Sequence, residues 1–108
     1  MKFLVIAEGV PEVVLPPEQA VALGRENWAW VRKMTAAGKL DVAFGLADHA
    51  GGILGGCGIA NVESLEELGG LLASLPVVAI SNVKVYPLVA PEVVEKLIDV
   101  WAESIPKT

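Results

Sequence analysis

The fold is decided by the stretch Asn61-Val-Glu-Ser-Leu-Glu-Glu-Leu-Gly-Gly-Leu-Leu-Ala-Ser-Leu-Pro76 together with Asn82-Val-Lys-Val-Tyr-Pro-Leu88. The pattern is typical of a strand end, a capped helix, a proline stop and a last strand. Ser64 is placed to cap the helix, with Glu67 three residues later as its reciprocal partner. The spacing therefore predicts a helix over about Leu65–Leu75, followed by a strand within Val77–Leu88.

The remaining elements follow from the same kind of pattern on either side of this stretch. Hydrophobic periodicity, turn residues and helix-start prolines predict, in order, a strand over Lys2–Ala7, a helix from Pro17 to about Ala37, and strands over Leu40–Ala47 and Ile53–Val62. A final helix opens at Pro91 and carries an apolar stripe of Val94, Leu97, Ile98, Trp101 and Ile105. The order β-α-β-β-α-β plus a helix predicts one ferredoxin-like α+β domain over residues 1–108, with an antiparallel sheet.

Strands two and three carry two alternating sets of residues, and neither set is polar. The large set is Leu40, Val42, Phe44, Leu46, Ile53, Cys57 and Ile59; the small set is Ala43, Gly45, Ala47, Leu54, Gly56, Gly58 and Ala60. A water-facing side of a sheet should be polar, so we expect both faces to be buried. Helices cover one face. The other is covered either by the sheet of a second copy, giving a dimeric α+β barrel through the Ala43/Gly45/Gly56/Gly58 face, or by the chain's own C-terminal helix.

The composition supports a second subunit and excludes several partners. Apolar residues make up 54% of the chain and charged residues 19%, against usual values of about 45–50% and 25%. We therefore expect a homodimer or a larger even homo-oligomer. The net charge of −5 and the scattered basic residues argue against nucleic acid. A single cysteine, an N-terminal apolar run too short for a signal peptide and the lack of a membrane span predict a cytoplasmic protein.

Two places carry titratable groups that could serve catalysis. Glu8 follows an apolar strand and could act as a base with a raised pKa if it points into a cavity. The same sequence pattern is also typical of an exposed charge at the end of a strand. Asp48 and His49 share a predicted turn and could shuttle a proton, although turn residues are usually solvated. One histidine beside one aspartate does not make a metal site. No motif calls for a metal or a cofactor.

The first helix supplies candidates for a binding pocket. Asn27 falls near the centre of its apolar face, so its amide either bonds to a strand end or lines a polar spot in a pocket. Trp28 and Trp30 flank that face and are either core and interface residues or pocket walls. Cys57 lacks an activating neighbour and is interpreted as a small apolar residue. The glycine-rich run 51–58 is not a phosphate loop, and it favours a bulged strand that another backbone or a ligand approaches closely.

The opening Met1-Lys-Phe-Leu-Val-Ile-Ala-Glu8, the long helix ending before Gly38, and above all the two segments quoted first resemble the muconolactone isomerase family of ferredoxin-like dimeric α+β barrel proteins. The resemblance covers most of residues 1–88. It implies assembly through barrel dimers and a cofactor-free transfer of a proton within an unsaturated lactone. It also implies a first-strand acid, a position that Glu8 matches.

Two classes of function remain open on the sequence alone. The first is a cofactor-free enzyme that isomerises a small carbonyl-bearing or lactone-like molecule, with Glu8 as base, Asn27 or His49 orienting, and Trp28 or Trp30 shaping the pocket. Asp48 belongs to the same predicted substrate site. The second is a non-catalytic oligomeric module that binds a small ligand or a protein. Charged side chains at a cavity would favour the enzyme, and their absence would favour the binding module.

Overall fold

A computed structural model describes residues 1–106 of the chain. The strands are β1 (Lys2–Gly9), β2 (Leu40–Ala47), β3 (Ile53–Asn61) and β4 (Ser81–Pro87). The helices are α1 (Pro17–Ala36), α2 (Leu65–Ala73) and α3 (Pro91–Ser104), and a short 3-10 turn over Val78–Ile80 precedes β4. The predicted order of elements is confirmed, and the predicted boundaries differ from these mainly at the strand and helix ends.

The four strands form one antiparallel sheet in the order β2-β3-β1-β4. The two central strands are β1 and β3, and the edges are β2 and β4. Apolar residues on both faces of β1 suit this central position, because a central strand contacts other residues on both sides. The α+β fold predicted from the sequence is therefore confirmed.

Helix α2 begins with the capping arrangement predicted from its sequence. The Ser64 hydroxyl oxygen accepts a hydrogen bond of 3.1 Å from the backbone N–H of Glu67. The Glu67 carboxylate in turn accepts a hydrogen bond of 2.9 Å from the backbone N–H of Glu63. The reciprocal bond therefore reaches one residue before the cap, and both bonds satisfy donors at the helix start.

The hydrophobic core lies between the sheet and the first two helices. Its buried members come from β1, β2, β3, the start of α2 and the loop before it: Phe3, Leu40, Ala60, Val62, Leu68 and Leu71. Trp30, Val31 and Met34 of α1 pack against this cluster. The turn after α1 is set by Gly38, whose φ of 76° lies in the left-handed region that favours glycine.

The face of the sheet that α1 covers is the one with small residues. A Cβ atom added at Gly45 would lie 3.6 Å from the Trp28 ring, and one at Gly56 would lie 3.7 Å from it. The prediction that this small-residue face forms a dimer interface is therefore wrong, because a helix of the same chain already lies over it. The Trp28 ring can lie close to the sheet because the residues beneath it have small side chains or none.

The opposite face of the sheet, here called the open face, carries the large set except Leu40, which a register shift places in the core, and Ile53, which lines the cavity described below. Paired residues on neighbouring strands share a face. The pairings therefore place the charged Lys84 there beside Ile6, together with eight apolar side chains: Leu4, Ile6, Val42, Phe44, Leu46, Cys57, Ile59 and Tyr86. Phe44 is 62% exposed and Tyr86 is 50% exposed. Within the described residues, no helix of the chain covers this apolar surface.

Helix α3 does not fold back onto the rest of the chain. Every residue from Pro91 to Ser104 is exposed, including the whole apolar stripe. The alternative in which this helix covers the open face of its own chain is therefore wrong. In residues 1–106, no helix combines the length and apolar character needed to span a membrane.

Candidate functional site

A cavity of about 220 Å³ lies between α1, α2 and the covered face of the sheet. Its walls are almost entirely apolar or glycine. The lining residues with polar side chains on the helices and at the start of β4 are Asn27, Trp28, Trp30 and Ser81. Its lining extends to the end of the sheet where β1 finishes and β4 begins, at Gly9 and Ser81. An apolar cavity with few polar groups is the usual form of a small-molecule site.

The part of the cavity floor beneath Trp28 is glycine backbone, and the side chains of Val5, Ala7 and Ala43 belong to the same sheet lining. Gly45 and Gly56 face each other across β2 and β3, directly beneath the ring of Trp28. Gly55 lies at an irregularity in the pairing of these strands, and a Cβ atom there would lie 2.0 Å from the carbonyl oxygen of Ala7. The predicted close approach of another backbone to the glycine run is therefore observed. Gly45 and Gly56 keep the space beneath the Trp28 ring open.

Asn27 projects from α1 and is the most unusual polar group at the cavity. Its side-chain oxygen Oδ1 has almost no accessible surface and has no hydrogen-bond partner. A buried acceptor without a partner costs about 1–3 kcal/mol. Of the two positions predicted for this amide, the structure shows the pocket lining rather than a bond to a strand end. Because Oδ1 itself is not accessible to water, a ligand's polar group would reach it only after the Asn27 side chain rotates toward the cavity.

The two predicted tryptophans form walls that are held in different ways. Trp28 lies over the glycine floor and remains 36% exposed. Trp30 donates its indole N–H to the hydroxyl of Ser74 at 2.9 Å. That hydroxyl donates in turn to the backbone oxygen of Leu71 at 2.7 Å. The Trp30 wall is therefore fixed to α2 by a hydrogen-bonded chain, whereas the Trp28 ring has no such restraint among the described residues.

No aspartate, glutamate, histidine, lysine or arginine in the described part of the chain lines this cavity. The perturbed pKa values lie outside it, at an ion pair between Lys39, which directly precedes β2, and Glu67 of α2. The hydrogen bond from Lys39 lowers the pKa of the Glu67 carboxyl, and the same bond raises the pKa of the Lys39 ammonium. This pair supports the start of α2. Residues 1–106 contain no cluster of three metal-ligating side chains.

Glu8, the predicted base, lies at the same end of the sheet but on the opposite face. Its neighbours Ala7 and Gly9 line the cavity, and the alternation along β1 turns Glu8 itself to the open face. The residue is exposed. It pairs with Gly55 and Asn82 on the flanking strands. Within one copy, Glu8 therefore does not reach a ligand in this cavity.

Asp48 and His49 lie in the hairpin between β2 and β3 and do not line the cavity. The Asp48 carboxylate accepts backbone N–H bonds from Ala50 at 2.9 Å and from Gly52 at 2.8 Å. This bonding gives Asp48 the turn-forming role that such residues often have. His49 is exposed beside it. The structure thus brings together Asn27 and the two tryptophans, and it leaves Glu8, Asp48 and His49 apart from them.

Sequence reasoning did not identify the contribution of α2 or the start of β4. Leu71, Leu72 and Leu75 close one side of the cavity, and Ser81 adds a hydroxyl at the end where β4 begins. In the sequence, the three leucines have the spacing of a helix face that packs against a core. The sequence pattern does not show which of them border a cavity. Ser81 directly precedes a predicted strand, and serine at that position is common in turns.

Residues 1–92 match the model of the muconolactone delta-isomerase family. Because this match spans 92 of the 108 residues, the chain belongs to that family. The resemblance identified from the sequence is therefore confirmed. The match ends at the second residue of α3, so nearly all of that helix lies beyond it.

Two solved structures share the fold. The crystal structure of muconolactone isomerase at 3.3 Å aligns with a TM-score of 0.70 and 22% identity, covering 84% of this chain and 92% of that one. A 5-chloro-2-hydroxyhydroquinone dehydrochlorinase from Burkholderia phenoliruptrix AC1100, in complex with 2,5-dihydroxybenzoquinone, aligns with a TM-score of 0.67 and 16% identity. That alignment covers 85% of this chain and 97% of the dehydrochlorinase. No curated protein matches the sequence.

Proposed function

We propose that the chain is a cofactor-free enzyme that isomerises a small, ring-shaped carbonyl or lactone compound by proton transfer. Membership of the muconolactone delta-isomerase family supports the reaction class. The observation that carries the site is the apolar cavity over a glycine floor, with the unpaired Asn27 oxygen at its wall. Tryptophan rings above a bare backbone floor suit a flat ring better than a flexible chain.

The dimensions of the cavity limit the ligand. An apolar cavity of about 150 Å³ is known to hold benzene. At about 220 Å³, this cavity has room for one ring with a few small substituents. Its walls favour an apolar ring body, and the Asn27 amide provides one polar anchor. Because an amide can present either its oxygen or its nitrogen, Asn27 can accept a bond from a ligand hydroxyl or donate one to a carbonyl.

Proton transfer also needs a base, and Glu8 is the residue that we propose for it. The support is its position on the first strand, where the family carries an acid. Its side chain lies on the open face. In this proposal the base is therefore the Glu8 of a second copy, which reaches the ligand around the end of the sheet, and not the Glu8 of the chain that holds the ligand. Asp48 and His49 have no such position, and we give them no role in the reaction.

The same proposal includes assembly through the open face as a homodimer or a larger even homo-oligomer. The eight apolar side chains of that face are an extended hydrophobic surface on a chain with only 19% charged residues. Two such faces packed against each other would remove both from water. Glu8 would then lie at the border of the interface.

A non-catalytic binding module is the second candidate. The observation that favours it is the lack of a titratable side chain along the cavity of one copy. Such a module would bind the same kind of ring compound at Asn27 and leave it unchanged. The two candidates therefore differ in turnover and not in binding.

The test is proton exchange in deuterated water, with muconolactone as the probe and NMR as the readout. The enzyme proposal predicts deuterium incorporation and isomerisation, and Glu8→Gln should slow both by about 10²–10⁴-fold. Glu12→Gln, a nearby exposed acid in the following loop, is the matched control and should leave the rate unchanged. Normal turnover by Glu8→Gln would refute the assignment of the base. Binding without any exchange would favour the binding module.

A further inference from the structure

Helix α3 is an amphipathic helix without a partner in its own chain. Its apolar stripe is between 42% and 68% exposed, with Trp101 the most exposed member. The radius of gyration is 17.7 Å, whereas a compact chain of this length has about 13 Å. The longest dimension reaches 63 Å. A single copy therefore leaves this helix projecting into water with its apolar side uncovered.

We propose that α3 is an arm that binds a second copy of the chain, in the groove between α1 and β2 of that copy. The proposal rests on the open-face assembly proposed above. When two four-stranded sheets pack face to face around a two-fold axis parallel to the strands, as we propose here, the edge strand β4 of one lies over the edge strand β2 of the other. Because α3 follows β4 after three residues, it leaves its own copy at this seam.

The groove at the β2 edge offers a surface that suits the arm. Trp28, Val31 and Ala36 of α1 line it, with Arg32 and Asp41 beside them. On α3, a helical wheel places Glu95 next to the apolar stripe. The arm carries four acidic residues against one lysine, and the last turns of α1 carry Arg32 and Lys33. The groove therefore combines apolar surface with one basic residue, Arg32, and one acidic residue, Asp41, while Lys33 lies outside its lining.

The area of the arm is sufficient for a stable pair. Burying one Val, Leu or Ile side chain removes roughly 100 Å² of apolar surface from water. Five stripe residues on each of two arms therefore amount to about 1,000 Å², and the surfaces they cover add a similar area. The total of about 2,000 Å² lies at the upper end of standard interfaces. A membrane surface fits less well, because the polar side of α3 is acidic and would be repelled by anionic lipids.

The first test measures the dimer dissociation constant of the full chain by sedimentation equilibrium. Leu97→Glu places a charge in the stripe and should raise the dissociation constant by about 100-fold or more. Lys96→Glu, on the polar side one residue earlier, is the control and should change it by only a few-fold. A wild-type dimer that Leu97→Glu leaves intact would overturn the arm and leave the open-face assembly standing. A monomeric wild type would overturn both.

The second test locates the arm by disulfide formation between two different chains. One chain carries Ala36→Cys and the other Leu97→Cys, each with Cys57→Ala, so the expected disulfide forms only in the mixture. The arm predicts at least about five-fold more cross-linked heterodimer than a mixture with Lys96→Cys in place of Leu97→Cys. The proposal would be overturned if the protein is shown to be a dimer and the Leu97→Cys mixture gives no cross-linked heterodimer, or gives only as much as the Lys96→Cys mixture. The proposal would also be overturned if the monomeric protein floats with phosphatidylcholine vesicles and Leu97→Glu abolishes this flotation. That result would show that α3 binds a membrane surface instead of a second copy.

Discussion

Replacing Asn27 with leucine should stabilise the ligand-free protein and remove its affinity for ligand. In the free protein, Oδ1 of Asn27 is buried without a partner, a state that costs about 1–3 kcal/mol. Leucine has a similar size and loses no hydrogen bond here. We take the low end of the range, about 1 kcal/mol, because Oδ1 is the one atom of this amide that is both buried and unpaired. For a domain of 60–100 residues, this corresponds to a rise in melting temperature of about 4–8 °C.

The assay is thermal unfolding followed by circular dichroism at one fixed protein concentration, because assembly makes the melting temperature depend on concentration. Glu26→Leu changes the preceding, exposed residue and should alter stability by no more than about 0.5 kcal/mol. A ligand that raises the melting temperature of the wild type should have no such effect on Asn27→Leu. A less stable Asn27→Leu protein would refute the reasoning, since it would show that the amide makes a stabilising bond in the free state.

Two further predictions concern the floor of the cavity and the start of α2. Gly55→Ala should destabilise the protein by about 3 kcal/mol or more in urea unfolding, because its Cβ would lie 2.0 Å from a backbone oxygen. Gly69→Ala, in α2 with open space around it, should instead stabilise by about 0.5–1 kcal/mol, and equal effects of the two changes would contradict this view of the floor. The Glu67 carboxyl has a lowered pKa through its bond with Lys39, so its contribution to stability should be complete above the unfolded value near 4.5 and be lost as the pH falls through the folded value. The stability difference between the wild type and Glu67→Gln should therefore shrink as the pH falls below about 4.5, and a constant difference down to pH 2 would show that the carboxylate charge is not involved.

The sequence determined most of the fold because its local signals agree with one another. Ser64 and Glu67 cap α2 as predicted, and the alternation over Leu40–Ala47 gives β2 with the predicted ends. The orientation of the sheet could not be predicted in the same way. Alternation separates a small set from a large set but does not say which lies beneath the helices, and here the Trp28 ring occupies the space that Gly45 leaves open.

The site was only partly predictable for a related reason. Asn27 stood out because an amide on an apolar helix face requires an explanation, and it lines the cavity. Glu8 lies near the end of a strand that has apolar residues on both faces, so the sequence pattern does not show on which face of the sheet its side chain lies. In the structure it lies on the open face. The α2 leucines that border the cavity cannot be distinguished by sequence from those that fill the core, because empty space depends on how the elements pack.

The most direct test of the central claim is NMR observation of ring-ligand binding at the cavity. Muconolactone and 2,5-dihydroxybenzoquinone are suitable probes, added to nitrogen-15-labelled protein. Binding at the cavity should shift the Asn27 side-chain amide and the Trp28 indole signal and leave the backbone amide of His49 unchanged, because His49 lies in the hairpin between β2 and β3 and does not line the cavity. Shifts confined to Trp101, or to residues of the open face, with Asn27 and Trp28 unaffected, would contradict the account.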